Sequence, residues 1–201
     1  MTAGAAALTL AAPARHQIEV KHSRFVAFAE PVASAEVALA AVARHADPSA
    51  THNCWAYRVG AAYRFNDDGE PGGTAGRPIL MAIDGQKLDR VAVLVVRYYG
   101  GIKLGAGGLA RAYGGCAAEC LRASAKVTII QLVTAHISCD FSYSAPVHDA
   151  LSRLGAAKTA ERFEPDGVRL TFSVPRDRVA TLERDLAALS RGTIAVRIAE
   201  E

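Results

Sequence analysis

The residues best suited to chemistry lie in one glycine-rich basic segment, from Arg97 to Arg111. An almost wholly apolar stretch precedes this segment, and a helical pattern that begins near Leu109 follows it. A glycine-rich turn between a strand and a helix leaves backbone N–H groups unpaired, and together with the helix dipole these groups attract anions. The segment is therefore predicted to bind phosphate. The candidate nucleic-acid or phosphate-binding residues are Arg97, Tyr98, Gly100, Gly101, Lys103, Gly105, Gly107, Gly108, Arg111 and, from an earlier strand, Tyr57.

Two interpretations of this set stay open. In the functional one, Arg97, Lys103 and Arg111 meet phosphate groups, and Tyr98 or Tyr57 stacks on a base. In the other, the glycines only allow a close-packed turn and the tyrosines fill the core.

A dinucleotide site is a weaker alternative for the same segment. Residues 105–110 match the pattern G-x-G-x-x-A between a strand and a helix. That fingerprint also requires an acidic residue about 20 positions further on, at the end of the next strand. Residues 126–133 contain none, so the sequence favours another phosphate-bearing ligand.

An acidic loop supplies the main functional alternative. Asp67, Asp68 and Glu70 could hold Mg²⁺ against a phosphate, with His52 as acid or base. This would make the protein a metal-assisted enzyme acting on a phosphate-containing ligand. The same carboxylates could instead belong to a solvated turn and pair with Arg97 or Lys103. The sequence assigns no metal ion and no other cofactor, and it favours a binding protein over an enzyme.

His52 and Cys54 alternate along one strand, so their side chains share a face. They could form a thiol and imidazole pair, although a buried cysteine beside a hydrogen-bonded histidine is the commoner arrangement.

The elements of the second half predict a ferredoxin-like domain. Strand patterns occur near residues 136–141, 157–163, 168–174 and 194–198, with a tight turn at 164–167. A helix capped by Ser144 follows the first strand and ends at Gly155, and a second helix runs from Val179 towards Gly192. The order βαββαβ is that of a split βαβ sandwich.

The first half is also mixed α+β. Ile18 to Ala29 is predicted as one strand, Ser34 as the cap of a helix, and residues 53–65 as a strand pair turning near Gly60. Thr74 is predicted to cap a helix that stops at Gly85, and residues 91–96 form a strand buried on both faces. The predicted boundaries are a disordered tail over 1–16, a first domain over 17–133 and a second domain over 134–201.

Composition suggests a cytoplasmic protein without a membrane segment. The formal net charge of +3 is small, and the basic excess lies in the first part of the chain, which weakly favours an anionic partner. The four cysteines form no C-x-x-C pair, as expected of reduced core thiols. The first residues lack the basic start of a signal peptide, and no apolar run is long enough to span a bilayer.

Three stretches of the sequence resemble the IMPACT/YigZ family: residues His52–Tyr57, Asp67–Pro78 and Arg97–Gly105. The third is the signature of that family, and the resemblance extends from about His22 to Ile198. Gly73 and Tyr99 stand where relatives often have serine and phenylalanine, which changes neither charge nor backbone demands.

The resemblance implies a first domain similar to domain IV of elongation factor G and to a small-subunit ribosomal protein. It implies a second domain similar to domain V of that factor. The resemblance therefore implies a translation-linked role, in which the protein binds structured RNA or the ribosome. Eukaryotic relatives compete for the activator of an initiation-factor kinase through an additional N-terminal domain, so that kinase-pathway partner is not expected here.

Overall fold

The structure, a computed structural model, describes residues 7–199 and divides into two compact units between Ile129 and Ile130. No helix in that range is long and apolar enough to cross a membrane. The helices and strands are β1 (Leu8–Leu10), β2 (Ala14–Val20), β3 (Ser23–Pro31), α1 (Ala35–His45), β4 (His52–Val59), β5 (Ala62–Asn66), α2 (Gly76–Gly85), β6 (Val91–Tyr98), α3 (Ala106–Ala123), β7 (Lys126–Thr128), β8 (Leu132–Cys139), α4 (Ser144–Arg153), β9 (Ala157–Glu164), β10 (Gly167–Pro175), α5 (Val179–Ser190) and β11 (Arg197–Ile198).

A five-stranded antiparallel sheet organises the first unit, in the order β2-β3-β6-β4-β5. The central strand β6 is buried along nearly its whole length, as its apolar sequence predicts. Val93 and Val95 point into the larger core beneath α2 and α3. Ala92 points to the opposite face, into a smaller core beneath α1. Helices therefore cover both faces of the sheet, and alternation along β6 decides which core each side chain enters.

Two predicted features of this unit are confirmed. The side chain of Ser34 caps α1 by accepting the backbone N–H of Val37 at 3.3 Å. Strands β4 and β5 form the predicted hairpin, with Gly60 in a left-handed conformation at the turn.

The single strand predicted over Ile18–Ala29 is wrong, because it is two strands of a hairpin. Lys21 and His22 both adopt left-handed backbone conformations, with φ of 47° and 64°. They form the turn between β2 and β3, and the two strands pair from Ala14 opposite Ala29 to Val20 opposite Ser23.

The predicted helix cap at Thr74 is also wrong. Its hydroxyl donates to the carbonyl of Pro71 at 2.6 Å and makes no cap bond to α2. The carboxylate of Asp67 takes that role instead, because it accepts the backbone N–H groups of Ala75 and Gly76 at the helix start. In the second unit Ser144 likewise begins α4 without forming a side-chain cap.

Ordered structure begins earlier than the predicted tail over residues 1–16 allows. Leu8–Leu10 form β1, which pairs antiparallel with β7, and Leu10 is almost fully buried against the larger core. The expectation of disorder is therefore wrong for this strand and for β2 from Ala14. Residues 1–6 lie outside the described range.

The second unit has the predicted ferredoxin-like architecture. Its sheet runs in the order β11-β8-β10-β9, which is the strand order 4-1-3-2 within this unit, and all pairs are antiparallel. Helices α4 and α5 pack on one face over a core that includes Ile137, Leu170 and Phe172. The last strand is shorter than predicted and contains only Arg197 and Ile198.

We propose that residues 130–201 fold on their own, since this unit contains a separate hydrophobic core. Circular dichroism of that fragment is expected to show mixed helix and strand and a cooperative thermal transition. A fragment that stayed unfolded at every protein concentration would contradict the proposed boundary.

Candidate nucleic-acid interface

The predicted site lies at one end of the five-stranded sheet, called here the site end. The strand register places Arg24, in β3, opposite Tyr98 at the end of β6, and Arg97 opposite His52 at the start of β4. Four loops therefore meet at this end, over residues 21–22, 46–51, 67–75 and 99–105. Helices α2 and α3 start directly after the last two of these loops.

Arg97 is buried and does not lie on the surface where the sequence prediction placed it. Alternation along β6 turns it towards the core beneath α3, and only 5% of its surface is exposed. Its Nη1 donates to Oε1 of Glu70 at 2.6 Å, and the same oxygen accepts the hydroxyl of Tyr113 at 2.8 Å. Its guanidinium group also lies over the ring of Phe25. Arg97 therefore forms a structural ion pair that fixes the acidic loop to the central strand.

The two tyrosines predicted to stack on bases lie on the opposite face of the sheet. Tyr57 is 7% exposed and packs in the core beneath α1, so it offers no free ring. Tyr98 donates its hydroxyl to Asp47, and the guanidinium of Arg24 lies 4.1 Å from its ring centre. The neighbouring Tyr99 is 46% exposed and is the tyrosine of this segment with free surface.

The glycines of the segment have different structural roles. Gly100 lies against the β2–β3 turn, where an added Cβ would be 2.0 Å from the backbone of His22. Gly101 and Gly105 adopt positive φ angles of 86° and 71°, and Gly105 immediately precedes α3 without a side-chain cap. For Gly100, close packing accounts for the residue. At Gly105 the uncapped start of α3 leaves N–H groups for an external partner.

Gly107 and Gly108 occupy the first turn of α3. Gly107 is exposed, and Gly108 is half-buried with Leu104 3.1 Å from the position of an added Cβ. Neither carries a side chain over the helix start, so a ligand could approach the backbone closely there.

Lys103 and Arg111 lie where the sequence predicted, exposed near the start of α3. Besides Arg24, whose guanidinium lies over the ring of Tyr98, two exposed cations at the site end were missed: Lys21 in the β2–β3 turn and Arg77 in the first turn of α2. None of the side chains of Lys21, Arg77, Lys103 and Arg111 forms an ion pair with any carboxylate between residues 7 and 199. These four residues are called here the basic surface. The polar turn at Lys21 was the available signal, and it was lost when residues 18–29 were interpreted as one strand.

The acidic loop is held together by Asp67. Its carboxylate accepts the backbone N–H groups of Gly73, Ala75 and Gly76 at 2.8 to 2.9 Å. Burial alone would raise the pKa of Asp67, but the hydrogen bonds from these three residues outweigh it and keep the pKa below its usual value. The Asp67 carboxylate is therefore ionised and committed to the loop.

Asp47 and Asp68 are also satisfied within the protein. Asp47 accepts the hydroxyl of Tyr98 and the N–H and hydroxyl of Ser49, and these hydrogen bonds lower its pKa. Asp68 accepts the backbone N–H of Asn53. The carboxylates at this end thus stabilise loops and leave the exposed cations uncompensated.

The four residues of the predicted enzyme alternative are close together but already engaged. Nδ1 of His52 is hydrogen-bonded to the carbonyl of Asp68 at 2.7 Å, and its Nε2 lies 3.7 Å from Oε1 of Glu70. Asp67 and Asp68 bind backbone N–H groups, as described above. Within the described range, no group of three or more His, Cys, Asp or Glu side chains is placed to hold a metal ion.

Cys54 shares a face with His52, as predicted, but its thiol donates to the carbonyl of Asp67 at 3.0 Å. Burial raises the pKa of Cys54 to about 12. We therefore expect iodoacetamide at pH 8 to modify Cys54 in the folded protein about a thousandfold more slowly than an unperturbed thiol, because the thiolate is the reactive form. Mass spectrometry of the alkylated peptides measures this.

All four cysteines should react fully in denaturant, which provides the control. Rapid modification of Cys54 in the native protein would reveal an activated thiol and would restore the enzyme alternative.

Comparison with known proteins gives the family. Residues 21–121 match the family model described as the Impact N-terminal domain. The chain is 51% identical over 156 residues to an IMPACT family member encoded in the pol 5′ region of Thermus thermophilus, covering 78% of this chain and 86% of that protein. This chain belongs to the IMPACT family.

Other IMPACT relatives extend the match to the second unit. IMPACT family member YigZ of Escherichia coli strain K12 is 34% identical over 198 residues, covering 95% of this chain and 97% of that protein. A crystal structure of an hypothetical protein, also 34% identical, covers 98% of both chains with a TM-score of 0.71. The fold of both units is therefore shared with that solved structure. The matched residues 21–121 contain the entire basic surface.

Proposed function

We propose that this IMPACT family protein is a translation-linked, non-enzymatic regulator that binds structured RNA, including RNA of the ribosome, through its basic surface. One observation carries the proposal. At the site end the carboxylates are hydrogen-bonded within the protein, whereas Lys21, Arg77, Lys103 and Arg111 are exposed and pair with no carboxylate among residues 7–199. Such an uncompensated surface attracts a polyanion.

The start of α3 supports phosphate as the group that is bound. The exposed residues Ala106 and Gly107 follow the uncapped Gly105, so the positive end of an 18-residue helix opens towards solvent. Lys103 precedes this helix start and Arg111 follows it by about one turn and a half. Together they offer backbone N–H groups and side-chain cations to the same phosphate backbone.

Exposed apolar groups beside these cations suit RNA better than a small anion. Tyr99 and Ile102 are 46% and 42% exposed in the loop between β6 and α3. An exposed tyrosine ring can stack on an unpaired base of a loop or bulge. The proposal therefore assigns stacking to Tyr99 in place of the buried Tyr57.

The metal-assisted alternative gains no support from the geometry, because Asp67 and Asp68 already accept backbone hydrogen bonds and Glu70 pairs with Arg97. The translation-linked role rests on family membership and on the resemblance to elongation factor domains.

The double substitution Lys103→Ala/Arg111→Ala is expected to weaken binding of a labelled RNA hairpin about tenfold at low salt, since two charge-assisted phosphate contacts are lost. Two hairpins of unrelated sequence should lose affinity equally, because phosphate contacts carry no sequence information. Fluorescence anisotropy measures both affinities.

Arg122→Ala provides the matched control, since Arg122 is an exposed cation at the other end of α3 and pairs with Glu119. It should leave RNA affinity unchanged. Equal weakening by the control and by the double variant would show only a general charge effect and would overturn the assignment of the basic surface.

A further inference from the structure

The second unit has an open sheet face that the proposed function does not use. Its helices cover only the opposite face, over the core around Leu170. The open face borders a concavity of about 790 Å³. Its polar lining includes His136, Ser138, Arg162, Arg169, Thr171 and Arg197, together with Glu161, whose carboxylate pairs with Lys158.

Two arginines on this face are neighbours in a way that should lower the stability of the folded sheet. Arg162 in β9 lies directly opposite Arg169 in β10, and like charges in such a cross-strand pair repel. Glu164 compensates Arg169 alone, with Nη2 3.2 Å from Oε1. Neither Arg162 nor Arg197 forms an ion pair with a carboxylate in the part of the chain that the structure describes, and both are exposed.

Two further contacts hold the face in place. Nε of Arg169 donates to the hydroxyl of Ser138 at 3.3 Å, which lies directly opposite on β8. Nδ1 of His136 is hydrogen-bonded to the hydroxyl of Thr171 at 3.0 Å, and His136 lies opposite Arg197. Arg162, Arg169 and Arg197 therefore lie on strands of a hydrogen-bonded sheet, and not in a loop.

The width of the face indicates a polyanion. Arg162 and Arg197 lie on the two edge strands, which are three strand spacings apart in the order β11-β8-β10-β9. At about 4.8 Å per spacing this is roughly 14 Å, which is more than one phosphate group can bridge. The small residues Ala160 and Ala195 also line the concavity, and its described lining contains no Phe, Tyr or Trp side chain. The imidazole of His136 is the ring in that lining, and it is hydrogen-bonded to Thr171.

We infer that this open face is a second phosphate-binding surface, which holds the backbone of RNA without reading its bases. The nature of the ligand rests on the proposed function, but the surface belongs to a different unit and to different residues. Because the lining offers no Phe, Tyr or Trp ring for stacking, binding here is independent of sequence and depends steeply on salt.

The test is RNA binding by the full chain with Arg162→Ala/Arg197→Ala, leaving the paired Arg169 intact. Affinity for the labelled hairpin is measured between about 50 and 200 mM salt. Two lost phosphate contacts should flatten the slope of log affinity against log salt by about 1.4 to 1.8 and weaken low-salt binding about tenfold. Arg153→Ala/Arg184→Ala removes the same charge from exposed positions on α4 and α5 and should change neither value.

The outcomes separate this inference from the proposed function. An unchanged slope with Arg162→Ala/Arg197→Ala, while Lys103→Ala/Arg111→Ala weakens binding, would overturn the inference and leave the first surface standing. The reverse result would support the open face and overturn the first surface. Absence of RNA binding by the wild type would overturn both. The melting temperature of each variant shows whether it is folded. Arg162→Gln/Arg197→Gln, which keeps more of the side-chain length than alanine does, should weaken RNA binding in the same way.

Discussion

Arg97→Met is expected to lower the free energy of unfolding by about 3 to 5 kcal/mol, because it leaves the carboxylate of Glu70 buried without its cation. The side chains of Arg97 and Glu70 are 6% and 4% exposed, so water cannot replace the lost partner. Urea unfolding followed by circular dichroism measures the change.

Two control variants separate the ion pair from simple loss of a side chain. Arg97→Met/Glu70→Gln should be more stable than Arg97→Met alone, since no buried charge remains. Arg58→Met removes the exposed pair with Asp84 from the same sheet and should cost at most about 1 kcal/mol. Equal losses for Arg97→Met and Arg58→Met would contradict a buried structural role for Arg97.

Gly100→Ala is expected to destabilise the first unit by about 3 kcal/mol or more, the upper part of the range for overpacking. The new Cβ would lie 2.0 Å from the backbone of His22, and backbone atoms on both sides are held in place. The N–H of Gly100 donates to Ser23 at 3.1 Å, and that of Tyr99 donates to Thr51 at 3.0 Å. Thermal unfolding should show the loss.

Gly115→Ala is the matched control for this substitution. Gly115 lies inside α3 with no atom within 4 Å of an added Cβ. Alanine there should raise stability by about 0.5 to 1 kcal/mol through helix propensity. If Gly100→Ala were as well tolerated as Gly115→Ala, the close approach of the two loops would be wrong.

The second unit was predictable from sequence because each element carries its own local signal. The alternating residues around Ile137 and Leu170 gave the strands, and the turn at residues 164–167 gave the hairpin. These signals depend on near neighbours in the chain. What could not be predicted is which carboxylate or backbone group satisfies a helix start, as at Asp67 and Thr74, because that partner lies in a separate loop.

The sequence indicated the candidate segment from Arg97 to Arg111, but not which way each of its side chains points. Arg97 and Tyr98 are neighbours in sequence, yet they point to opposite faces of a sheet that is covered on both sides. Whether a basic residue on a strand is exposed depends on which elements cover each face of the sheet. The sequence pattern of the strand itself does not show this. Lys21 and Arg77 are far from Lys103 in sequence, and the strand register and the order of the loops place their elements at the same end of the sheet.

The salt dependence of RNA binding is the most direct test of recognition through the basic surface. Four phosphate contacts from Lys21, Arg77, Lys103 and Arg111 predict that this surface contributes about −3 to −4 to the slope of log affinity against log salt. Lys103→Ala/Arg111→Ala should remove about half of that contribution while the melting temperature stays unchanged. A wild-type slope near zero, or a variant whose slope and affinity match the wild type, would contradict RNA recognition by this surface.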